Sequence, residues 1–323
     1  MPERGDATGG NLGGLWGVAL ARAAVRVAGP DARSYLQGQL SQDVAALGPG
    51  DWAWALVLQP QGKLDAFVRV SRTGSDEFVL DTDTVVADRL VERLNRFKLR
   101  TRAEVERLPW RALAVRGGGT GGPEGAEVGR PVVEGVVEGG GARVPFQWDG
   151  WLGYDLFGPA PQLPAGVAAA GLASYELARV AAGFPCHGAE LDESTIPAEA
   201  GLVAACVSFS KGCYTGQELV ARIDSRGSNV PRNLRGLELS APAPAGSVLR
   251  RAAEEPAPAK EVGRLTSLAG SDDQGWWALG YVGRGVEAGA RLEVLGSSGG
   301  DVVASALVRA LPMALSQAAP PEP

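Results

Sequence analysis

The chain has 323 residues, enough for two domains or one large elaborated one. With 45% hydrophobic and 21% charged residues it has an ordinary soluble composition, and its net charge of −6 excludes a surface that attracts nucleic acid as a whole, so no direct DNA binding is expected. No apolar run approaches the roughly 20 residues of a membrane helix, the N-terminus lacks the pattern of a secretory signal, and the expected setting is cytoplasmic, without a membrane partner.

In chain order, residues 1–14 are glycine-rich and polar and read as disordered. Asp31 is placed to cap a short helix through Gln37 that stops at Gly38. Residues 53–58 read as a buried strand, and 59–62 as a turn. Strands are predicted over 64–70 and 77–80. Asp83 or Thr84 caps a helix whose apolar face is Val86, Leu90, Leu94 and Phe97. The stretch 89–107 holds seven cations and three acids, with Arg93, Arg96, Lys98, Arg100 and Arg102 close together. A solvated helix face explains that basicity, and so does a docking surface for an anionic ligand or RNA.

Strands follow at 104–108 and 112–115, then a glycine-rich loop or pair of short edge strands over 117–141, and a strand at 151–157. Residues 175–182 read as a helix or strand. A second region has short strands at 234–239, 247–249, 262–268, 276–282, 291–295 and 302–309, with loops at 241–245 and 256–259. Short strands punctuated by Gly and Pro suggest a small barrel. Helices among hairpin-linked strands give an α+β class.

Cysteines stand at 186, 206 and 213, a count and spacing that fit neither a disulfide framework nor a zinc pattern, so no metal site is expected. His187 is the single histidine, and no second feature marks it as catalytic. The densest chemistry is Lys211-Gly212-Cys213-Tyr214-Thr215-Gly216-Gln217-Glu218. The apolar segment 202–209 before it offers a buried anchor, and 219–222 after it can start a helix. A thiol beside Lys211 and near a helix N-terminus is a candidate reactive thiolate. Cys206, inside the apolar segment, is expected to be buried and inert.

This octapeptide resembles the signature of the YgfZ family, folate-binding proteins related to the aminomethyltransferase (T-protein) of the glycine cleavage system. Four further blocks are similar to the family in the same order: 29–44, Gln61-Gly62-Lys63, 179–185 and 196–202. The resemblance runs over 24–312 and implies an aminomethyltransferase-like folate-binding domain with ferredoxin-like topology (15–232), then a C-terminal β-barrel (233–313) and a flexible tail (314–323).

The resemblance also implies tetrahydrofolate or a derivative as cofactor, with Tyr175 as an aromatic contact. Arg179 and Arg222 are candidate cations for the glutamate tail or the framework, and Glu199 a carboxylate for the pterin edge. The binding residues include Tyr214, Gly216, Gln217, Glu218 and Arg222 of the octapeptide and the segment after it. Cys213 and Lys211 are the candidate catalytic pair. Which of Asp81, Asp83 or Asp88 acts as the T-protein's carboxylate, if any, stays open. Two functions follow: an accessory protein for assembly or repair of iron–sulfur enzymes and, indirectly, tRNA modification, or a folate-dependent aminomethyl (one-carbon) transferase; a folate-binding scaffold without chemistry is a third reading. Partners would be iron–sulfur enzymes or assembly factors, with tRNA contact left open. One thiol cannot hold a cluster that takes four ligands, so a cluster contact would need a partner.

Overall fold

The computed structural model describes residues 14–117, 134–137, 141–227, 229–251, 260–296 and 300–314. Residues 1–13, most of the 117–141 stretch, the 256–259 loop and most of the expected tail lie outside them.

The first half runs β1 (Trp16–Leu20), β2 (Arg22–Ala28), α1 (Ala32–Gln39), β3 (Trp52–Leu58), β4 (Leu64–Arg72), β5 (Glu77–Asp83), α2 (Thr84–Arg96), β6 (Glu104–Leu108) and β7 (Arg111–Arg116). Then come β8 (Glu134–Val137), β9 (Gly141–Trp148), β10 (Trp151–Gly158), β11 (Ala168–Ala169), α3 (Leu172–Ala182), α4 (Val203–Cys206) and α5 (Gln217–Ser225). The remainder is β12 (Arg232–Leu239), β13 (Val248–Arg251), β14 (Lys260–Ser271), β15 (Gly275–Gly283), β16 (Arg291–Leu295) and β17 (Val302–Arg309).

One five-stranded antiparallel sheet has the order β3-β4-β5-β2-β6. Its strands β4, β5, β2 and β6, with α1 and α2 as connections, keep the ferredoxin-like order, and β3 adds one edge. Alternate residues of β3 face opposite ways. Ala55 and Val57 join the core under α1 and α2, whereas Trp54, Leu56 and Leu58 face a second sheet. That sheet has the order β11-β1-β7-β10-β9-β8. Burial on both faces is why 53–58 is an unbroken apolar run. Strands β12 to β17 close into a barrel in the order β12-β15-β14-β13-β16-β17.

Two helix starts differ from expectation. Asp31 and Asp83 occupy the N-cap positions of α1 and α2 but make no side-chain cap bond. Asp31 instead accepts from Arg102, and Asp83 from Arg22 and the His187 amide. Ion pairing across the fold outcompetes the local cap. Helix α1 also runs one residue past Gly38. Val86, Leu90 and Leu94 are buried as expected, but Phe97 is 44% exposed because the helix ends before it. Helix α3 ends on Gly183 at φ +67, whose amide donates to Val180 O while the Phe184 amide donates to Arg179 O. This Schellman closure turns the chain back toward the core.

Candidate functional site

The octapeptide forms a loop ahead of α5, seated on the 59–62 turn. Gly216 has φ +82, and a Cβ there would lie 2.6 Å from Gln59 O. A Cβ on Gly62, at φ +72, would meet Leu219 Cβ at 2.7 Å. Both glycines are therefore required by close approach as well as by backbone angle. The Lys211 ammonium donates to Gln37 O, Leu40 O and Gln42 O at 2.6, 2.6 and 3.0 Å. Burial pushes its pKa down to about 8, which leaves it charged at neutral pH. Its three N–H donors are all taken, so it anchors the loop to the end of α1 and has no donor left for a thiolate. The Tyr214 ring packs 5.0 Å from that ammonium, and its hydroxyl is buried without a partner. Cys213 is exposed and Cys206 fully buried.

Below the turn lies a polar seam. Gln59 Nε2 donates to Glu193 O at 3.0 Å, and the Glu193 carboxylate pairs with Arg89. Next along the seam is His187. Its Nε2 accepts the Phe67 amide at 2.9 Å, and its own amide donates to Asp83 Oδ2 at 2.8 Å. Burial pushes the imidazole pKa down to about 4, so the ring is neutral. With Nε2 accepting, the proton sits on Nδ1, and that N–H is buried without a partner. Arg89 Nε–H is a second buried donor without a partner. Buried donors rarely go unmatched. Two such donors lie unmatched here, His187 Nδ1 with Asp83, Arg89 and Arg22 near it, and Arg89 Nε.

From Asp83 a chain of buried charges crosses the molecule. Arg22 binds Asp83 at 3.2 Å and Asp81 at 2.5 Å. Arg69 binds Asp81 and Asp155, each at 2.8 Å, and Arg116 binds Asp155 at 2.8 Å. Burial drives the Asp155 pKa upward, but Arg116 and Arg69 outweigh it and hold the carboxyl below its ordinary value. The Arg116 guanidinium lies 3.7 Å from the Phe146 ring centroid and 5.1 Å from that of Trp151. Tyr175 packs on Trp151 at 5.4 Å, and burial pushes its phenol up to about 12. The indole N–H groups of Trp148 and Trp151 are buried without partners.

Not every candidate residue joins this assembly. Tyr175 packs on Trp151 with Arg116, Arg22, Asp155 and Asp83 all near enough to act on its phenol, but no hydrogen bond or ring contact joins it to 211–222 among the described residues. The Glu199 carboxylate is taken by Arg232 at 2.9 Å. Arg179 is buried as framework, binding Glu190 at 2.9 Å and Ser267 at 2.7 Å and so tying α3 to the barrel. Arg222 is exposed on α5 with its guanidinium unpaired among the described residues, Gln217 opens that helix half-buried, and Glu218 is exposed in its first turn. Asp81 has both oxygens held by arginines, and exposed Asp88 pairs with Arg107. None of the three aspartates is a free base. No group of three or more metal-binding side chains exists among the described residues.

A separate cavity of about 460 Å³ opens between the β9–β10 turn and the barrel, lined by Trp148, Asp149, Gly183, Leu234, Arg235 and Leu311 among others. None of the candidate residues lines it. The seam residues His187, Arg89, Arg22 and Glu193 were not expected from sequence. Their signal was the solitary histidine beside a Gly-Phe-Pro turn, too weak alone.

No protein-family model matches the chain. It is 31% identical over 250 residues to the mouse mitochondrial iron–sulfur cluster assembly factor IBA57, covering 70% of this chain and 67% of that protein. It is 26% identical over 219 residues to the tRNA-modifying protein YgfZ of Photorhabdus laumondii, covering 64% and 65% respectively. The glycine cleavage system aminomethyltransferase T of Bartonella henselae superposes with a TM-score of 0.77 over 95% of this chain and 88% of that one. At 21% identity that likeness shows the fold.

Proposed function

Since the chain belongs to the YgfZ family of aminomethyltransferase-like proteins, we propose that it is a folate-binding accessory protein for iron–sulfur enzymes, acting through Cys213. The observation that carries this reading is the presentation of Cys213. An exposed thiol stands on a loop pinned at one end by Lys211 and at the other by Gly216, while Cys206 seven residues earlier is sealed. A loop anchored this closely has no packing use for an exposed cysteine. The names of the mouse and Photorhabdus relatives supply the setting: cluster assembly and, through cluster enzymes, tRNA modification.

The polar seam fits a reduced folate. The pterin carries ring-nitrogen and carbonyl acceptors, which suit the His187 Nδ1 and Arg89 Nε donors, and amine donors, which suit Asp83. Arg222, exposed on α5 and unpaired among the described residues, suits the anionic glutamate tail. Bound folate would supply a one-carbon carrier. The protein residues orient it and shield its reduced ring from water. Asp81 is held by Arg22 and Arg69, and Asp83 by Arg22 and the His187 amide, which disfavours the transferase reading, since that needs a carboxylate free to exchange a proton.

The test is complementation of a strain lacking its own family member, scored by a cluster-dependent tRNA-thiolating enzyme. Cys213→Ala is expected to accumulate and melt normally yet fail to complement. Full complementation at equal protein level would remove the thiol from the function. Formation of methylenetetrahydrofolate dependent on a lipoyl carrier would favour the transferase instead.

A further inference from the structure

The basic stretch 89–107 sorts into two classes of cation. Arg89, Arg93, Arg102 and Arg107 are paired with Glu193, Asp65, Asp31 and Asp88. Arg96, Lys98 and Arg100 have no partner among the described residues, and between them stand two apolar side chains, Phe97 at 44% and Leu99 at 85% exposure. A solvated helix face does not explain Leu99, which lies beyond the end of α2 and is the most exposed large apolar side chain described.

The segment is held in shape. The Phe97 ring lies 3.8 Å from the Arg93 guanidinium, which is fixed by Asp65 and Gln39 at 3.1 Å each. The Lys98 amide donates to Asn95 O at 3.3 Å, and Arg100 takes a left-handed conformation at φ +56. Beyond it, Arg102 is clamped on Asp31 through its amide and its guanidinium. Leu99 is thus a fixed apolar tip between two clamps, ringed by free cations. A feature ordered in advance costs little to dock.

We propose that residues 96–100 are a docking knob for an acidic protein partner that offers an apolar pocket to Leu99 and carboxylates to Arg96, Lys98 and Arg100. Charge complementarity selects an acidic surface, and the aliphatic tip selects a protein. A stacking base would need an aromatic face, and the Phe97 ring already packs against the Arg93 guanidinium, which leaves aliphatic Leu99 as the free tip and favours a protein pocket over nucleic acid. An anionic lipid surface would meet one short loop on a chain of net charge −6, far short of the two signals that stable anchoring takes. The knob and the thiol loop are tied to one helix: Arg93, one turn before the knob, holds Gln39 of α1, while Lys211 holds Gln37 O of α1 and Leu40 O just past its end. A partner seated on the knob docks on the same support as the Cys213 loop, whether or not that thiol reacts.

The test uses the full chain with Leu99→p-benzoylphenylalanine, irradiated in cells lacking their own family member, and the adducts are mapped by mass spectrometry. The expected result is one protein adduct on a face rich in Asp and Glu. The purified partner should then bind the unmodified chain at least tenfold more tightly than Leu99→Ser or R96E/K98E/R100E, with affinity falling as salt rises. The adduct should persist in a Cys213→Ala background, which separates docking from thiol chemistry. The changed side chains are exposed except for half-buried Lys98, and a wild-type melting temperature certifies the folding of each variant. Ribonuclease-sensitive adducts, lipid adducts, crosslinks to a second copy of the chain, absence of any adduct, or a partner indifferent to Leu99→Ser would each overturn the proposal.

Discussion

Arg69 on β4 and Asp155 on β10 lie 2.8 Å apart with neither side chain open to solvent, a bond that joins the two sheets of the first half through their charges. Arg116 shares Asp155, and Asp81 shares Arg69, so removing one member strands the others. Asp155→Asn is expected to cost about 3–5 kcal/mol, the scale for a buried charge left without its partner. A urea midpoint shift with unchanged slope measures it. A loss below about 1 kcal/mol would show that the chain of charges is not a structural unit.

Lys211→Met should act on stability rather than on the thiol. It removes three bonds to carbonyl oxygens, and each hydrogen bond from a charged donor is worth about 1.5–3 kcal/mol. The chain should unfold more easily, while the alkylation rate of Cys213 at neutral pH stays where it was. A rate at least tenfold lower with stability intact would restore Lys211 as the activating cation.

The three thiols should separate by reagent access. Exposed Cys213 is expected to be labelled first. Cys186 is half-buried, with its pKa pushed up by burial, and should lag. Cys206, fully buried, should react only as the chain unfolds. Labelling of Cys206 ahead of Cys213 in native protein contradicts the structure.

Acid should weaken the fold through one imidazole. The folded pKa of His187 is about 4, below the ordinary value of 6.5. The unfolded chain therefore binds a proton that the native state refuses, and stability falls as pH drops from 6.5 toward 4. At one kcal-scale step per pH unit, the total is about 3 kcal/mol. Above pH 6.5 the contribution is fully present. His187→Gln should flatten this window, and an unchanged slope would mean that carboxylates govern it.

Tyr175→Ala should unfold about 3–5 kcal/mol more easily, because it empties a buried aromatic place against Trp151. If folate stacks on Tyr175, affinity should also fall by ~1–2 kcal/mol. Calorimetry on the folded variant reads the second quantity. Unchanged affinity removes Tyr175 from the site and leaves it as core.

The barrel was legible because its signal is local. The short runs 291–295 and 302–309 are each set off by Gly or Pro nearby, and the observed strands Arg291–Leu295 and Val302–Arg309 match them residue for residue. Strand β9 was not legible: Pro145 sits inside it, and proline ordinarily argues against a paired strand. Its carbonyl nonetheless accepts from Arg69 at 2.7 Å. The candidate site was half legible. The octapeptide announced itself by composition, but the partners of Lys211 lie about 170 residues upstream, and those of Asp83 include Arg22 and His187. Local rules offered the nearest use for each residue, a cap or an activating cation, and long-range bonds took precedence.

A single imidazole in the whole sequence, lodged in the polar seam, makes the chain its own spectroscopic reporter. Incorporating isotopically labelled histidine places one ring signal in a magnetic resonance spectrum, with no assignment to perform. The tautomer read from the bonding, with the proton on Nδ1, has a distinctive nitrogen shift. Anything that accepts from that proton will move the signal, and anything bound elsewhere will leave it still. Candidate small molecules can therefore be sorted by location before any reaction is known.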